Sequence, residues 1–321
     1  MTPMLIRDFV LGDEEAYARI YNETYETCSW YSEHGPISAE DVRKRVEKYR
    51  NFAAFKLLLA IIDDVPVGFI TAMVYDEPST GYIVQYEPCV LPIFRNQGVE
   101  TKLVEAVIDH LRKNSARTMR YSIVGLPKDM MHHVDLFKKV GFKEWRLAQT
   151  MERSLETSIP DYSCTMPLKT LNATALGIES FVDFFIICFR SSRDRDASQI
   201  ASNYKRAKQF IQRLYVDEAD NHDPDLWFAV FNNDQFVGFT IARKENNEGH
   251  VAEVGVIPES RRKGIGNFLT VETLKRLKQK GAKRAFLGVD KENSEAIALY
   301  EKCGFEKKYE IVELERPATG P

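Results

Sequence analysis

The chain has 321 residues, which is enough for two domains of ordinary size. Hydrophobic residues make up 44% and charged residues 28%, a balance that is typical of globular proteins and excludes a disordered or fibrous chain. The net charge is −3, so no overall positive charge would attract the protein to nucleic acid or to an anionic membrane. We therefore expect neither of these partners, and the sequence leaves the oligomeric state open.

The N-terminus and the cysteines indicate the cellular compartment. The first residues, MTPMLIRDF, lack the basic start and apolar core of a secretion signal, and the longest apolar run, 181–189, is too short to cross a bilayer. We expect this run to form a buried helix. Five cysteines are odd in number and scattered, without the paired spacing of a disulfide framework or a zinc site. These features predict a cytoplasmic protein with free thiols and no bound metal.

The predicted elements of the first half begin with a strand at 4–7 and helices at 13–25 and 38–49. Ser38 is a suitable N-cap for the second helix, which has acidic residues in its first turn. Strands at 55–63 and 67–75 are predicted to form a hairpin through Asp63 and Asp64. An amphipathic helix, a strand, a helix and a last strand follow, an order that predicts an α/β or α+β sheet domain.

The second half of the chain repeats the first. Residues 84–99 align with 250–265 without a gap at an offset of 166, which puts Glu87 opposite Glu253. Further along, the dipeptide at 141–142 falls opposite the same Gly-Phe dipeptide at 304–305. A duplicated domain explains both matches. We expect domains at 1–155 and 163–321, with the weakly periodic stretch 154–166 as the linker.

The segment 256–266, VIPESRRKGIG, is predicted to pass from a strand directly into a helix. Its glycines would let backbone N–H groups approach a ligand, and the helix N-terminus adds partial positive charge. The basic run Arg261, Arg262 and Lys263 lies beside the turn, so the segment predicts a diphosphate site. The spacing is neither that of a P-loop nor that of a dinucleotide fold. On its own, the segment also fits a glycine-rich turn with solvated basic side chains.

Arg261-x-x-Gly264-x-Gly266 resembles the acyl-coenzyme A signature of the GNAT N-acetyltransferase superfamily. Downstream, residues 293–305, NSEAIALYEKCGF, are similar to the second motif of that superfamily. Through the repeat the resemblance covers both halves, and a tandem pair of this length resembles the mycothiol synthase family in architecture, without indicating a substrate. The resemblance implies two tandem GNAT domains, each with a mixed, mostly antiparallel sheet flanked by helices.

The resemblance also implies acetyl-CoA as the cofactor. The strands around 253–256 and 284–289 would separate at a bulge, so that the pantetheine arm pairs with a free strand edge. Backbone N–H groups of 262–267 would bind the pyrophosphate, and the N–H of Val256 or Ile257 would polarise the thioester carbonyl. The residues implied to bind the cofactor are Val254, Val256, Ile257, Arg261, Arg262, Lys263, Gly264, Ile265, Gly266, Asn267, Asn293, Ala296 and Tyr300.

Tyr300 is the candidate general acid, because a phenol can donate a proton to a departing thiolate; a core tyrosine is the alternative. Asn293 would order the loop or bind the cofactor, although a plain helix N-cap would look the same. Glu253 is the first choice of base and His250 the second. Glu253 could instead be structural, since Glu87 recurs at its place, and His250 could be a solvated strand-end residue. Their parity differs, so only a bulge would let both face one cleft.

The first half departs from the pattern of the motifs. Glu100 stands where the motif has glycine or alanine, and a carboxylate there would repel phosphate. Phe137 falls opposite Tyr300, and Met130 opposite Asn293, so the candidate acid is missing. We therefore expect a degenerate first domain with a structural or substrate-shaping role, in which binding of CoA stays open.

Together these features predict an N-acetyltransferase that moves an acetyl or other short acyl group from acetyl-CoA to a primary amine. The amine would belong to a small molecule or a peptide, and it would attack directly in a ternary complex in the second half. Cys303 precedes the Gly-Phe turn and resembles a packing residue, so an acyl-enzyme is not expected. The alternative is a CoA-responsive binding or regulatory module without turnover.

Overall fold

The computed structural model describes residues 4–29, 31, 35–75, 79–162, 164, 166–216 and 223–318. The chain forms two compact units. Unit 1 consists of Met1–Leu147 together with Glu310–Pro321, and unit 2 consists of Ala148–Tyr309. Each unit is a mixed sheet with helices packed against it, which confirms the predicted fold class.

The strands, in chain order, are β1 (Leu5–Asp8), β2 (Ala53–Ile62), β3 (Val65–Tyr75), β4 (Thr80–Ile83), β5 (Cys89–Val90), β6 (Thr118–Gly125), β7 (Lys143–Ser154), β8 (Lys169–Asn172), β9 (Trp227–Asn232), β10 (Gln235–Glu245), β11 (Glu248–Val256), β12 (Arg284–Asp290) and β13 (Glu306–Pro317). The helices are α1 (Glu14–Tyr25), α2 (Ala39–Tyr49), α3 (Val99–Lys113), α4 (Pro127–Lys139), α5 (Ala173–Leu176), α6 (Ile178–Phe189), α7 (Arg195–Ala201), α8 (Tyr204–Val216), α9 (Ile265–Gln279) and α10 (Ser294–Lys302).

The sheet of unit 1 has the strand order β1-β2-β3-β4-β6-β13, with β5 paired to β3. Only the β4–β6 pair is parallel among the pairs described in this unit. The predicted hairpin between β2 and β3 is present, and its two turn residues, Asp63 and Asp64, have φ angles of 50° and 62°. Such left-handed pairs fit the twist of a two-residue hairpin turn, and aspartate tolerates the conformation better than most residues.

Unit 2 has the matching order β7-β12-β11-β10-β9-β8, with β11 and β12 as the parallel pair among its described pairs. The apolar run at 181–189 lies in α6 as expected, with Phe181 and Phe185 fully buried. Helix α9 buries Leu269, Leu274 and Leu277, at the spacing of one helix face.

The two halves of the sequence exchange their last strands. In unit 2, the end of β7 pairs antiparallel with β12, from Ala148 opposite Asp290 to Ser154 opposite Arg284. In unit 1, the end of β13 pairs antiparallel with all of β6. The compact units therefore differ from the predicted halves, 1–155 and 163–321. The end of β7 belongs to unit 2 and the end of β13 belongs to unit 1. The sequence predicts both strands but not their partners, because the two duplicated sheets offer equivalent edges.

Two arginines on the exchanged strands make equivalent contacts. Arg153 on β7 donates to the carbonyl of Cys303 at 2.5 Å, and its guanidinium occupies the space that a Cβ at Gly304 would need. Arg316 on β13 donates to the carbonyl of Val140 at 2.7 Å, beside Gly141. The arginines are separated by the same 163 residues as the two glycines. Each strand is thus held at the Gly-Phe turn that follows the last helix of the opposite half.

Candidate functional site

The segment 256–266 forms a turn that leads into the N-terminus of α9, as predicted. Gly264 is the N-cap of this helix, with a left-handed φ of 84° that favours glycine. Phe268 is the first residue of the helix to donate within it, to the carbonyl of Gly264 at 3.1 Å. The N–H groups of the preceding residues, 265–267, have no acceptor inside the helix, and they form its partially positive end. This geometry provides a cradle for an anion.

The basic side chains beside the turn are engaged within the protein. The Arg261 guanidinium donates to the carbonyls of Val256 at 3.2 Å and Cys188 at 2.9 Å, so it holds the turn against the end of α6. Arg95 makes the equivalent pair of bonds in unit 1. Lys263 donates to the carbonyl of Glu259 at 2.9 Å. Arg262 lines the cleft and pairs with Glu295 at 3.1 Å, so the cradle has its backbone N–H groups and one nearby guanidinium to meet an anion.

Gly266 permits close packing between α9 and α10. A Cβ at this position would lie 2.6 Å from the Cδ1 atom of Leu299, so any larger residue would require the Leu299 side chain to move. Asn293 is the N-cap of α10, and its Oδ1 accepts the N–H of Ala296 at 3.3 Å. The capping role that the sequence left open is thus present, and it fixes the helix that carries Tyr300.

The predicted separation of two strands is confirmed between β11 and β12. Their parallel pairing ends at Val251 opposite Leu287, whereas β11 remains paired with β10 as far as Val256. A bulge precedes the gap, because Ile241 of β10 pairs with Glu253 and its neighbour pairs with Val251. Beyond the bulge, one edge of β11 is therefore left facing a gap in the sheet.

The N–H groups near the gap point in different directions. Ile257 donates to the carbonyl of Val237 on β10 at 3.2 Å, so it is already bonded within the sheet. Because alternate residues of a strand direct their N–H groups to opposite edges, the N–H of Val256 points away from β10 and into the gap. Of the two predicted donors to a thioester carbonyl, Val256 has the suitable orientation and Ile257 does not.

The cradle, the free edge of β11 and helix α10 line one cleft of about 750 Å³ in unit 2. The predicted cofactor-binding residues that line it are Val254, Val256, Arg261, Arg262, Gly264, Ile265, Gly266, Asn267, Asn293, Ala296 and Tyr300. The side chains of Lys263 and Ile257 lie outside this lining. The cleft is also lined by residues that the sequence does not mark, among them Tyr162 from the linker, Phe189 at the end of α6, and Ser192 and Arg193 after that helix.

Tyr300 combines a cleft position with a raised pKa. Its ring packs edge-on against Phe305, with centroids 6.0 Å apart. Burial raises the pKa of Tyr300 above its usual value, and the carboxylates of Glu253 and Asp194 raise it further. The phenol is therefore protonated at neutral pH, the state in which it can donate a hydrogen bond or a proton.

The bulge brings the two candidate bases to the same face of β11. Gly249 and Val256 both face α9 although they are seven residues apart, so the extra residue Ala252 shifts the alternation. Glu253 is half-buried and close enough to raise the pKa of Tyr300. His250 lies where β11 is still paired with β12, stacked on Phe286 at 5.8 Å, and burial lowers its pKa. The geometry favours Glu253.

Glu87, which falls opposite Glu253 in the repeat, has a different environment. It is 2% exposed and accepts bonds from the hydroxyl of Tyr17 at 3.1 Å and from the N–H of Thr71. Burial raises the pKa of Glu87 to about 7. In unit 2, Phe181 is the fourth residue of α6, as Tyr17 is of α1, and it has no hydroxyl to donate. The recurrence of the glutamate therefore does not give both residues one structural role.

Unit 1 fills its own cradle with a carboxylate. Gly98 caps α3 with a φ of 83°, as Gly264 caps α9. Glu100 follows it, 5% exposed, with its carboxylate 3.7 Å from His132. Although burial raises the pKa of Glu100, His132 and the residue's own N–H lower it more, so the carboxylate stays charged. Phe137, opposite Tyr300, is fully buried and stacks on Tyr121 with centroids 3.8 Å apart.

In the residues that the structure describes, no helix has both the length and the apolar character needed to cross a bilayer. Among the same residues, no group of three or more histidine, cysteine, aspartate or glutamate side chains is placed to hold a metal ion.

Comparison with known proteins identifies the family. Residues 16–142 and 188–305 match the model of the acetyltransferase (GNAT) family. The chain belongs to this family. It is a tandem GNAT protein and an acyl-CoA N-acyltransferase, as the two motifs predicted. It is 27% identical over 257 residues to a mycothiol acetyltransferase of Acidothermus cellulolyticus, a match that covers 73% of this chain and 71% of that one.

Solved structures share the fold of this tandem GNAT protein. A GCN5-related N-acetyltransferase from Sphaerobacter thermophilus has a TM-score of 0.71 at 19% identity, over 100% of this chain and 98% of that one. A tandem GNAT protein from the clavulanic acid biosynthesis pathway has a TM-score of 0.64 at 14% identity, over 99% and 100% of the two chains. At these identities the likeness establishes the architecture alone.

Proposed function

We propose that this protein transfers an acetyl group from acetyl-CoA to a primary amine in the cleft of unit 2. One observation carries the proposal: an anion cradle, a free strand edge and a protonated tyrosine line the same cleft. The cradle would bind the diphosphate of the cofactor, the strand edge would pair with its pantetheine arm, and the tyrosine would donate a proton to the departing thiolate.

The residues of the cleft fit the cofactor. The N–H groups of 265–267 would hold the diphosphate, at a turn where the left-handed φ of Gly264 begins the helix. The edge of β11 from Val254 to Val256 would pair with the amides of the pantetheine arm. Asn293 and Ala296 would position α10 against that arm.

Acetyl-CoA supplies an acyl group that its thioester activates for transfer. The N–H of Val256 would donate to the thioester oxygen, an interaction whose removal typically costs about 2.7 to 4 kcal/mol. Glu253 would accept the proton of the attacking amine, directly or through water. Tyr300 would give its proton to the sulfur as the carbon–sulfur bond breaks, and the new amide and free thiol are then the products.

Unit 1 would not take part in the chemistry. Glu100 falls opposite Gly266 in the repeat and adds a carboxylate to the cradle of unit 1, and Phe137 has no proton to donate in place of Tyr300. We infer that unit 1 is structural or shapes the substrate site, and that one chain binds one molecule of CoA. Calorimetric titration with CoA would test this stoichiometry, and two equivalent sites would contradict it.

A thiol-release assay with acetyl-CoA and a panel of primary amines tests the function directly. We expect saturable release that falls about 10- to 10⁴-fold in kcat in Tyr300→Phe, the range for a lost general acid, with the Kd for CoA little changed. Tyr204→Phe, on an exposed tyrosine of α8, is the matched control and should have wild-type activity. Binding of CoA without release from any amine would instead favour the CoA-responsive module.

A further inference from the structure

The linker between the two halves contacts the cradle. It runs between β7 and β8, and its Tyr162, a residue 36% exposed, lines the cleft. The Tyr162 hydroxyl lies so close to Gly264 that a Cβ on this glycine would overlap it. Two features favour glycine at 264: its left-handed φ and the closeness of this hydroxyl.

The linker is fixed on both sides of Tyr162. Before it, the carbonyl of Thr157 accepts from Lys278 at 2.9 Å, and Asp161 pairs with Lys275 at 3.0 Å. After it, the thiol of Cys164 lies 3.7 Å from the carbonyl of Lys263. The segment thus follows α9 from its C-terminal part back to its N-terminus. A ring held at both flanks is preset beside the cradle and is poorly suited to act as a gate.

We propose that Tyr162 is a ligand of the cofactor's diphosphate, donated by the linker. The backbone N–H groups of 265–267 approach the anion from the helix, and the phenol would donate a further hydrogen bond from the side. A hydrogen bond from a neutral hydroxyl to a charged oxygen is shorter and stronger than one between neutral groups. Since Arg261 and Lys263 are bonded within the protein, the phenol supplies a side-chain donor that they do not.

This role rests on the proposed function only in taking the cleft as the CoA site. Calorimetric titration of the full-length protein with CoA tests it. We expect Tyr162→Phe to weaken CoA binding about 10- to 100-fold, the range for a lost hydrogen bond to a charged group. Pantetheine, which lacks the diphosphate, should bind the variant as it binds the wild type. Tyr204→Phe is the matched control for loss of an exposed hydroxyl, and its affinity for CoA should be unchanged.

The other outcomes show which of the two proposals fails. Equal CoA affinity in Tyr162→Phe and wild type would overturn the ligand role and leave the acetyltransferase proposal intact. Tighter binding in Tyr162→Ala would mean that the ring blocks the site, which also overturns it. A wild type that binds CoA but never releases thiol would overturn the catalytic proposal alone. A wild type that fails to bind CoA would overturn both.

Discussion

The strand exchange makes a prediction about which unit a mutation weakens. Leu314 lies in the second half of the sequence, yet it pairs with Tyr121 of β6 and its side chain is fully buried in the core of unit 1. Leu314→Ala should therefore destabilise unit 1. Met151 lies in the first half but is 1% exposed in the core of unit 2, where it pairs with Leu287 of β12. Met151→Ala should destabilise unit 2.

The expected size follows from burial. Removing a fully buried leucine or methionine side chain costs about 2 to 5 kcal/mol, through lost transfer energy and the cavity that remains. This is a large part of the roughly 5 to 15 kcal/mol that stabilises an ordinary domain. If amide exchange proceeds through opening of the affected unit, the loss corresponds to about 30- to 5,000-fold faster exchange there, at about 1.36 kcal/mol for each factor of ten.

Hydrogen exchange followed by mass spectrometry on the intact chain would measure this effect. Leu314→Ala should accelerate exchange in peptides covering β6 and α4, and Met151→Ala in peptides covering β12 and α10. The two variants serve as controls for each other, because they remove side chains of similar size from equivalent strands 163 residues apart. The reverse pattern, with Leu314→Ala loosening β12, would refute the exchange and restore the halves 1–155 and 163–321 as the units.

Three further predictions concern single side chains. Burial raises the pKa of Glu87 from 4.5 to about 7, so between these pH values the carboxyl group is protonated in the native state and ionised in the unfolded chain. Urea unfolding should therefore show that wild type loses stability relative to Glu87→Gln as the pH rises from about 4.5 to 7. A difference in unfolding free energy that stays constant over this range would contradict the shift. Glu253→Gln should lower kcat about 10²- to 10⁴-fold and abolish the acid limb of the pH–rate profile. His250→Gln should keep the wild-type kcat and the acid limb, and the opposite result would make His250 the base. Arg261→Met removes two hydrogen bonds from a charged donor, each worth about 1.5 to 3 kcal/mol, and should both destabilise the protein and weaken CoA binding. Arg95→Met removes the equivalent two bonds in unit 1, so it should destabilise the protein similarly without changing the Kd for CoA.

Local features of the fold and the cradle could be predicted from the sequence. The hairpin at Asp63 and Asp64 depends on turn residues that are adjacent in the chain, and the helix N-terminus at Gly264 depends on the strand, turn and helix that surround it. The capping role of Ser38 is likewise local, and its side chain and that of Asp41 form a reciprocal capping box. In each case a few neighbouring residues determine the geometry.

Features that depend on distant partners could not be predicted. Arg261 was expected beside a diphosphate, but its acceptors include the carbonyl of Cys188, 73 residues away. Tyr162 lies in a linker without periodicity, and only the path of that linker along α9 brings its hydroxyl to Gly264. The bulge at Ala252, which decides whether His250 and Glu253 share a face, has no glycine to mark it. Packing between elements determines these three features.

The two copies have kept the residues that support the fold and changed those that would meet the cofactor. Arg95 and Arg261 tie their turns to equivalent carbonyls, whereas Glu100 and Phe137 replace the glycine and the tyrosine of the other copy. If unit 1 were needed only for its own cleft, such replacements would remove the reason to keep it. Its half of the sequence, however, supplies β7, whose Arg153 holds the turn after α10. The first copy therefore contributes a strand to the sheet of unit 2, even though Glu100 replaces the glycine in its own cradle.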